Sequence, residues 1–416
     1  MSHKPTAIVL GGTVPHIALI ENLKSRGYYV ILVDYYECPP AKKYCDRHIK
    51  ESTLDEEKVL NIAISNKVDL VISACIDQAN LTACYVAEKL KLPKPYSYKT
   101  AQSVTNKEIM KRMMRDAFIP TSKHIKSSEI YNINDIDLKY PVIVKPTDCC
   151  GSAGVKRANS GNELRKYISD AKSFSRSGNA IIEEFTEGLE LSIYSFVENH
   201  RVKILMTAER LTSVDPENKV IKCVATLAPA SLNIYVEDKI QNIANDIAKS
   251  FNLNNTPLHI QVIVNKENVS VIEFAPRIGG GVSYETIKTN TGFDIMDATV
   301  DSFLGKKVAV ECSKPRYHIA VGLIYAIPSI FGYISEHSSL IAEGIIDKLF
   351  PYKSEGSKIE SDKAASGRVG SFISKAQTRG ELLNKVHEAN QRLNVYDQKN
   401  VAIMDKNLLP IESNES

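Results

Sequence analysis

The strongest constraint in this sequence is the way its first hundred residues alternate short apolar runs with amphipathic segments. Thr6 to Leu10 is apolar and ends in Gly11-Gly12. A helical pattern follows from about Pro15, with Ile17, Ile20 and Leu23 on one face and Gly27 as its stop. Tyr29 to Val33 reads as a second strand ending in Asp34. Val68 to Ser73 reads as a third, leading through Asp77 into a helix that stops before Leu92-Pro93. Strands joined by helices in this way build a parallel, doubly wound sheet. Such sheets bind ligands beyond the carboxyl ends of their strands, where Gly11, Gly12, Asp34 and Asp77 fall. GGTVPH lacks the GxGxxG spacing, so a dinucleotide site is not read from it.

Composition narrows the classes further. The chain has 416 residues, long enough for two or three domains, and 43% of them are hydrophobic. Lys and Arg total 52 against 49 Asp and Glu, a net charge of +3, which does not suggest a nucleic-acid or membrane-surface partner. The eight cysteines are scattered without a CxxC, which reads as reduced thiols in the cytoplasm rather than a disulfide scaffold or a zinc site. The longest apolar stretch, Ile319 to Ile334, is broken by Gly322, Pro328 and Gly332, so no membrane span is expected.

The middle third carries the chemistry. Lys107 opens a helix from Asn106 to about Ala117, and Lys145 ends the strand YPVIVKP. Gly151-Ser152-Ala153-Gly154 follows in a loop whose backbone N–H groups and Ser152 hydroxyl suit phosphate oxygens. The strand IIEEF offers Glu183, Glu184 and Phe185, with Glu190 further on. An extended backbone there suits an adenine, and a carboxylate suits ribose hydroxyls. A hairpin follows, His259 to Asn265 and Val269 to Phe274. Gln261 lies on its first strand, and Glu273, Ala275 and Arg277 alternate along the second, which places them on one face. Glu273 and Gln261 both offer oxygens to a hard cation such as Mg²⁺ (or Mn²⁺). Arg277 beside that ion could neutralise a transferred phosphoryl group. Gly279-Gly280-Gly281 would let backbone amides approach an anion. Each feature taken alone has an ordinary structural explanation.

In this order and spacing the set resembles the ATP-grasp superfamily of carboxylate–amine ligases, in particular the bacterial L-amino acid ligase branch. The resemblance rests on TNKEIMKRMMRDAFIPT, YPVIVKPTDCCGSAGV, IIEEFTEGLELSI, HIQVIV and VIEFAPRIGGG. It implies an α/β ATP-grasp fold with an N-terminal doubly wound pre-ATP-grasp domain (1–100), an ATP-grasp domain with its phosphate-covering lid (101–310) and a C-terminal α+β domain (311–416). It implies ATP on Lys107, Lys145, Gly151 and Ser152, with Glu183, Glu184 and Phe185 at the adenine and Glu190 at the ribose. It further implies Mg²⁺ on Gln261 and Glu273, with Arg277 as the catalytic cation. The carboxylate substrate would lie by Gly279, Gly280, Ser283 and Tyr284, with Arg368 in ASGRVGSFIS as a second anchor. Two positions depart from the commonest pattern: Gln261 stands where an acid is usual, and Ala275 where an asparagine is usual.

The activity implied is ATP-dependent amide formation through an acylphosphate, with an amino acid as one substrate and ADP and phosphate released. A carboxyphosphate-forming enzyme using bicarbonate and a small amine is the alternative, and a nucleotide-binding regulator without turnover is a third reading. The partners expected are small-molecule carboxylates and amines, with a homodimer as the family's habit.

Overall fold

A computed structural model of the chain describes residues 4–130, 133, 136–149, 153–214, 221–360 and 367–408. The first unit is a four-stranded sheet, all parallel, in the order Arg47–Lys50, Tyr29–Asp34, Thr6–Leu10, Leu70–Ile72. The strand Arg47–Lys50 escapes an apolar search because its sequence is RHIK, an edge strand with no buried residue. The third strand of the reading is shorter than expected, Leu70–Ile72 rather than Val68 to Ser73.

Eight antiparallel strands form the central sheet, in the order Asn268–Ala275, Thr256–Asn265, Leu189–Glu198, Arg201–Val214, Ile221–Ala228, His318–Tyr325, Arg368–Ala376, Lys348–Pro351. Alternation along its strands separates two faces. Leu191, Ile193, Val197, Leu258, Ile260 and Val262 pack under the helix Ile234–Ser250. Glu190, Ser192, His259 and Gln261 point the other way. A β-bulge keeps Glu273 on that second face: Gln261 pairs with Glu273 but Val262 pairs with Val271, so Ile272 is the extra residue.

A smaller antiparallel sheet, His124–Lys126, Ala180–Glu184, Val142–Pro146, Lys156–Ala158, is backed by the helix Gly161–Phe174. The helix Lys107–Asp116 lies between it and the central sheet, with Met110 and Met114 in the central sheet's core. The parallel sheet docks against the central one through Tyr194, Phe196 and Leu205 and through the helices Ser283–Thr291 and Ile295–Phe303. Arg26 adds a polar clamp there, bonded to Asp297 and Asp301.

The tail differs from its reading in one useful way. The segment Lys353 to Arg368 reads as a polar loop, yet Arg368 begins a strand of the central sheet. Serine and glycine dilute that strand's apolar signal; Gly322 is needed opposite it because a Cβ there would strike the Phe372 ring. Phe372 has no exposed surface and sits in the core with Leu340 and Leu393. Phe372→Ala is expected to lower unfolding stability by about 3–5 kcal/mol in urea titration, the usual result of emptying a large core site.

Candidate active site

Three elements converge beside the exposed end of Glu273. The helix Lys107–Asp116 begins at Asn106, whose side chain accepts from the N–H groups of Glu108 and Ile109. Lys107 N–H donates to Thr147 O at 3.0 Å, which fixes the helix start against the strand Val142–Pro146. Lys107 and Lys111 are four residues apart and therefore share a helix face. Lys107 Nζ donates to Cys149 O at 2.6 Å and lies 3.5 Å from Glu273 Oε2.

One turn on, Lys111 is fully buried and Glu183 nearly so. Lys111 Nζ lies 3.2 Å from Glu183 Oε2 and donates to Thr121 Oγ1 at 2.5 Å. Lys145 Nζ holds the other oxygen of the same carboxylate at 2.6 Å. Burial pushes the Glu183 carboxyl up, but Lys111 and then Lys145 outweigh that and hold it below its ordinary value. Burial lowers the Lys111 ammonium to about 8, with Glu183 opposing and Lys145 reinforcing the shift. Glu183 is thus turned inward between two lysines.

Glu184 and Phe185 continue past that strand's buried end. Glu184 Oε1 accepts from Lys139 N–H at 3.0 Å, and the Phe185 ring lies 4.3 Å beneath the Arg157 guanidinium. Glu190 is paired to Arg210, Nε to Oε1 at 2.6 Å. The expected phosphate-loop residues Gly151 and Ser152 lie outside the described residues. Neighbouring Asp148 is held by Ser175 Oγ and by the N–H groups of Arg176 and Ser177, while its carbonyl accepts from Gln78 Nε2 at 3.0 Å.

On the central sheet, burial would raise the Glu273 carboxyl, yet Lys107, Lys145 and Arg277 hold it at about 2. Its side chain is 37% exposed, the outward edge of an otherwise enclosed cluster. Arg277 is gripped by Asp77, Nε to Oδ1 at 2.6 Å and Nη2 to Oδ2 at 3.0 Å. Asp77, at the start of the helix Asp77–Leu90, belongs to the parallel-sheet unit, so that unit orients a side chain of the hairpin. His259 lies on the other side of Arg277, Nδ1 at 3.5 Å from Nη1, with its Nε2 at 3.2 Å from Ser192 Oγ. Burial, then Arg277 and Arg210, hold that imidazole well below its usual range, so it is neutral. A cleft of about 360 Å³, open to solvent, lies among Asp77, Lys107, Cys149, His259, Glu273 and Arg277.

The glycine loop follows directly. Gly279 must be glycine because a Cβ would strike the Tyr194 ring. Gly280 has open space around its Cα. Ser283 is buried and donates to Gly279 O at 2.8 Å, so its hydroxyl braces the loop. Arg368 stands apart from the phosphate-side cluster, bonded to the Tyr325 hydroxyl at 2.9 Å. Tyr352 links the two regions: its N–H donates to Val369 O at 2.8 Å, and its hydroxyl lies 3.4 Å from where a Gly281 Cβ would be.

Lys111, Arg210 and His259 carry much of this geometry and were not singled out from sequence. The spacing Lys107-x-x-x-Lys111 and the alternation His259-x-Gln261 were the available signals. Among the described residues no group of three or more His, Cys, Asp or Glu side chains could hold a metal by itself. Glu273 supplies one charged oxygen of the kind Mg²⁺ prefers, so a cation here would draw its other ligands from substrate and water.

Two outcomes test this electrostatic arrangement. Glu183→Ala, which leaves Lys111 and Lys145 buried without their shared partner, is expected to cost about 3–5 kcal/mol in urea unfolding. Glu273 binds its proton more weakly folded than unfolded, so its stabilisation is complete above about pH 4.5 and fades as pH falls toward 2. Glu273→Gln should remove that part of the acid limb in a pH series of thermal melts.

Residues 138–285 match the model of the ATP-grasp domain. That span holds Lys145, Glu183, Arg210, Gln261, Glu273 and Arg277, while Asp77, Lys107 and Arg368 lie outside it. The carbamoyl phosphate synthase large chain of Lachnoclostridium phytofermentans is 24% identical over 262 residues, which cover 62% of this chain and 24% of that one. The chain therefore matches about a quarter of that relative's length. The L-amino acid ligase of Bacillus licheniformis superposes with a TM-score of 0.77 at 19% identity, over 96% of this chain and 100% of that one. The biotin carboxylase domain of Hydrogenobacter thermophilus 2-oxoglutarate carboxylase, solved with MgADP and bicarbonate, superposes with a TM-score of 0.75 at 14% identity, covering 96% and 91%. No helix among the described residues is long and apolar enough to cross a membrane. The domain match and the superpositions agree: residues 138–285 form an ATP-grasp domain, and the chain as a whole has the fold of the ATP-grasp structures it resembles.

Proposed function

We propose that the chain is an ATP-dependent carboxylate–amine ligase that activates a carboxylate as an acylphosphate, with an amino acid as one substrate. The observation that carries this is the pairing of Lys107 with both Glu273 and the Cys149 carbonyl, beside Lys145 and Arg277. Lys107 rests on protein oxygens that a nucleotide's phosphate oxygens can replace, while Lys145 and Arg277 hold their charge beside it. Phosphoryl transfer depends mainly on such positioning and charge, with little need for an acid–base dyad.

In this reading Lys107 and Lys145 hold the nucleotide phosphates, and Glu184 and Phe185 mark the backbone that meets the base. A divalent cation would be held by Glu273, with Gln261 beside it, and would supply charge neutralisation at the phosphates. A carboxylate oxygen forms a bond to the γ-phosphorus as the bond from that phosphorus to ADP breaks. The amine nitrogen then attacks the acyl carbon, the bond to phosphate breaks, and the departing phosphate or water accepts the amine proton. Arg277, fixed by Asp77 and left with its full charge by a neutral His259, stabilises the oxygens that gain charge in both steps. Asp148, held by the turn at Ser175 to Ser177 and by Gln78, anchors the start of the loop that would cover the phosphates and exclude water.

The acceptor side favours an organic acid. Tyr194 packs against Gly279, the Tyr352 hydroxyl lies near Gly281, and Tyr352 N–H is bonded to Val369 O next to Arg368. Aromatic walls suit a carbon skeleton and an arginine suits a second carboxylate. A bicarbonate-using enzyme is the second reading, favoured by the likeness to a carboxylase solved with bicarbonate.

ADP release with Mg²⁺-ATP, measured against amino-acid pools with and without bicarbonate, separates the two. Release that needs amino acids and is indifferent to bicarbonate supports the ligase, and release that needs bicarbonate overturns it. Arg277→Ala should lower kcat by about 10²–10³-fold; unchanged turnover would remove Arg277 from its role.

A further inference from the structure

Four side chains form a continuous polar row across adjoining strands on the site face of the central sheet. Arg210 Nε is paired with Glu190 Oε1 at 2.6 Å. The Gln261 amide satisfies its surroundings in one orientation only: its oxygen accepts from Arg210 Nη1 at 3.3 Å and its nitrogen donates to Glu273 Oε1 at 3.2 Å. Glu273 Oε2 then faces Lys107 at 3.5 Å. The Arg210 side chain is only 19% exposed, so the sheet itself holds this guanidinium in place.

This row bears on how many cations the nucleotide site can take. Paired divalent ions in phosphoryl-transfer sites sit about 3.5–4 Å apart and need anionic oxygens around both. Glu273 offers one such group. Gln261 is neutral, its oxygen faces a guanidinium, and it presents N–H rather than oxygen to the shared carboxylate. A divalent ion placed between Gln261 and Glu273 would also meet the Arg210 guanidinium, which faces Gln261 through Nη1, and like charges at close range repel. The same guanidinium already provides positive charge where such an ion would.

We propose that this chain uses a single divalent cation, on Glu273, and that Arg210, locked between Glu190 and Gln261, supplies as a permanent side-chain charge what a second ion would otherwise bring. The proposal rests on the nucleotide reading of the site. Gln261 is then a positioning residue: it hands Glu273 a hydrogen bond from one side and holds Arg210 from the other.

The test counts Mn²⁺ bound by the full chain in the presence of the non-hydrolysable analogue AMP-PNP, by equilibrium dialysis and by the Mn²⁺ electron paramagnetic resonance spectrum. Analogue binding is measured separately. The wild-type chain is expected to hold one Mn²⁺ per bound analogue, with an uncoupled six-line spectrum. The double variant R210M/Q261E, which removes the fixed charge and restores an acid, should hold two, with the broadened spectrum of a spin-coupled pair. Two Mn²⁺ in the wild-type chain overturns the proposal, and that measurement does not depend on any variant folding. One Mn²⁺ in an R210M/Q261E chain that binds the analogue normally and keeps its circular dichroism also overturns it, since Arg210 would not then be what excludes the second ion. A chain that binds no analogue at any Mn²⁺ concentration would instead bring down the nucleotide reading, and the single-cation proposal with it.

Discussion

Like charges cannot be gathered in a protein interior unless each is tied to a counter-charge, because desolvation and mutual repulsion both oppose them. Here Lys107, Lys111, Lys145, Arg210 and Arg277 converge on one region, and every one has a named carboxylate: Glu273, Glu183 for two lysines, Glu190 and Asp77. Those carboxylates come from the helix beside the parallel sheet, the small sheet and the central sheet. The charge pairing is therefore also what registers the three units against one another. Lys111 and Glu183 are sealed in and serve as a fixed foundation, with Lys145 held on the other oxygen of that carboxylate. Lys107 and Glu273 are the open edge, where the pairing can be exchanged for substrate oxygens.

Much of the arrangement was legible in the sequence, for a physical reason. Lys145, Glu273 and Arg277 end apolar strands, and Lys107 follows an N-capping Asn106, so local pattern alone places each at the tip of an element. Their convergence needed the ordered motif set. What stayed hidden depends on partners far away in the chain. Nothing near Arg210 marks it as lying between Glu190 and Gln261, and nothing near Arg277 points to Asp77, 200 residues earlier. Lys111 looks like one more polar residue on an exposed helix until Glu183 is brought beneath it. The bulge at Ile272 leaves no trace in composition, yet it decides which face Glu273 presents. Arg368 looked like part of a polar loop because its strand is written largely in glycine and serine.

The two departures from the commonest motif, Gln261 and Ala275, acquire a shared context in the fold. Ala275 pairs across the hairpin with His259, which leaves room for an imidazole that stacks on Tyr194 with ring centroids 5.3 Å apart and flanks Arg277. Gln261 pairs with Glu273 and reaches Arg210. Neither position is simply a weakened ligand. Gln261 is bonded into the network that holds Arg210, and Ala275 lies across the hairpin from the His259 that flanks Arg277, so the site leans on fixed side-chain cations. Such charges are preorganised and cost no reorganisation when the transition state forms.

The central claim is that this cluster activates a carboxylate by moving a phosphoryl group onto it. The most direct measurement is the fate of oxygen: an acid substrate labelled with ¹⁸O in its carboxylate is turned over with unlabelled ATP and an amine, and the released phosphate is analysed by mass. Formation of an acylphosphate predicts phosphate carrying one ¹⁸O atom from the carboxylate for every amide formed. Amide formed with unlabelled phosphate, the lost carboxylate oxygen appearing elsewhere, or phosphate release with no label transfer at all, would contradict it.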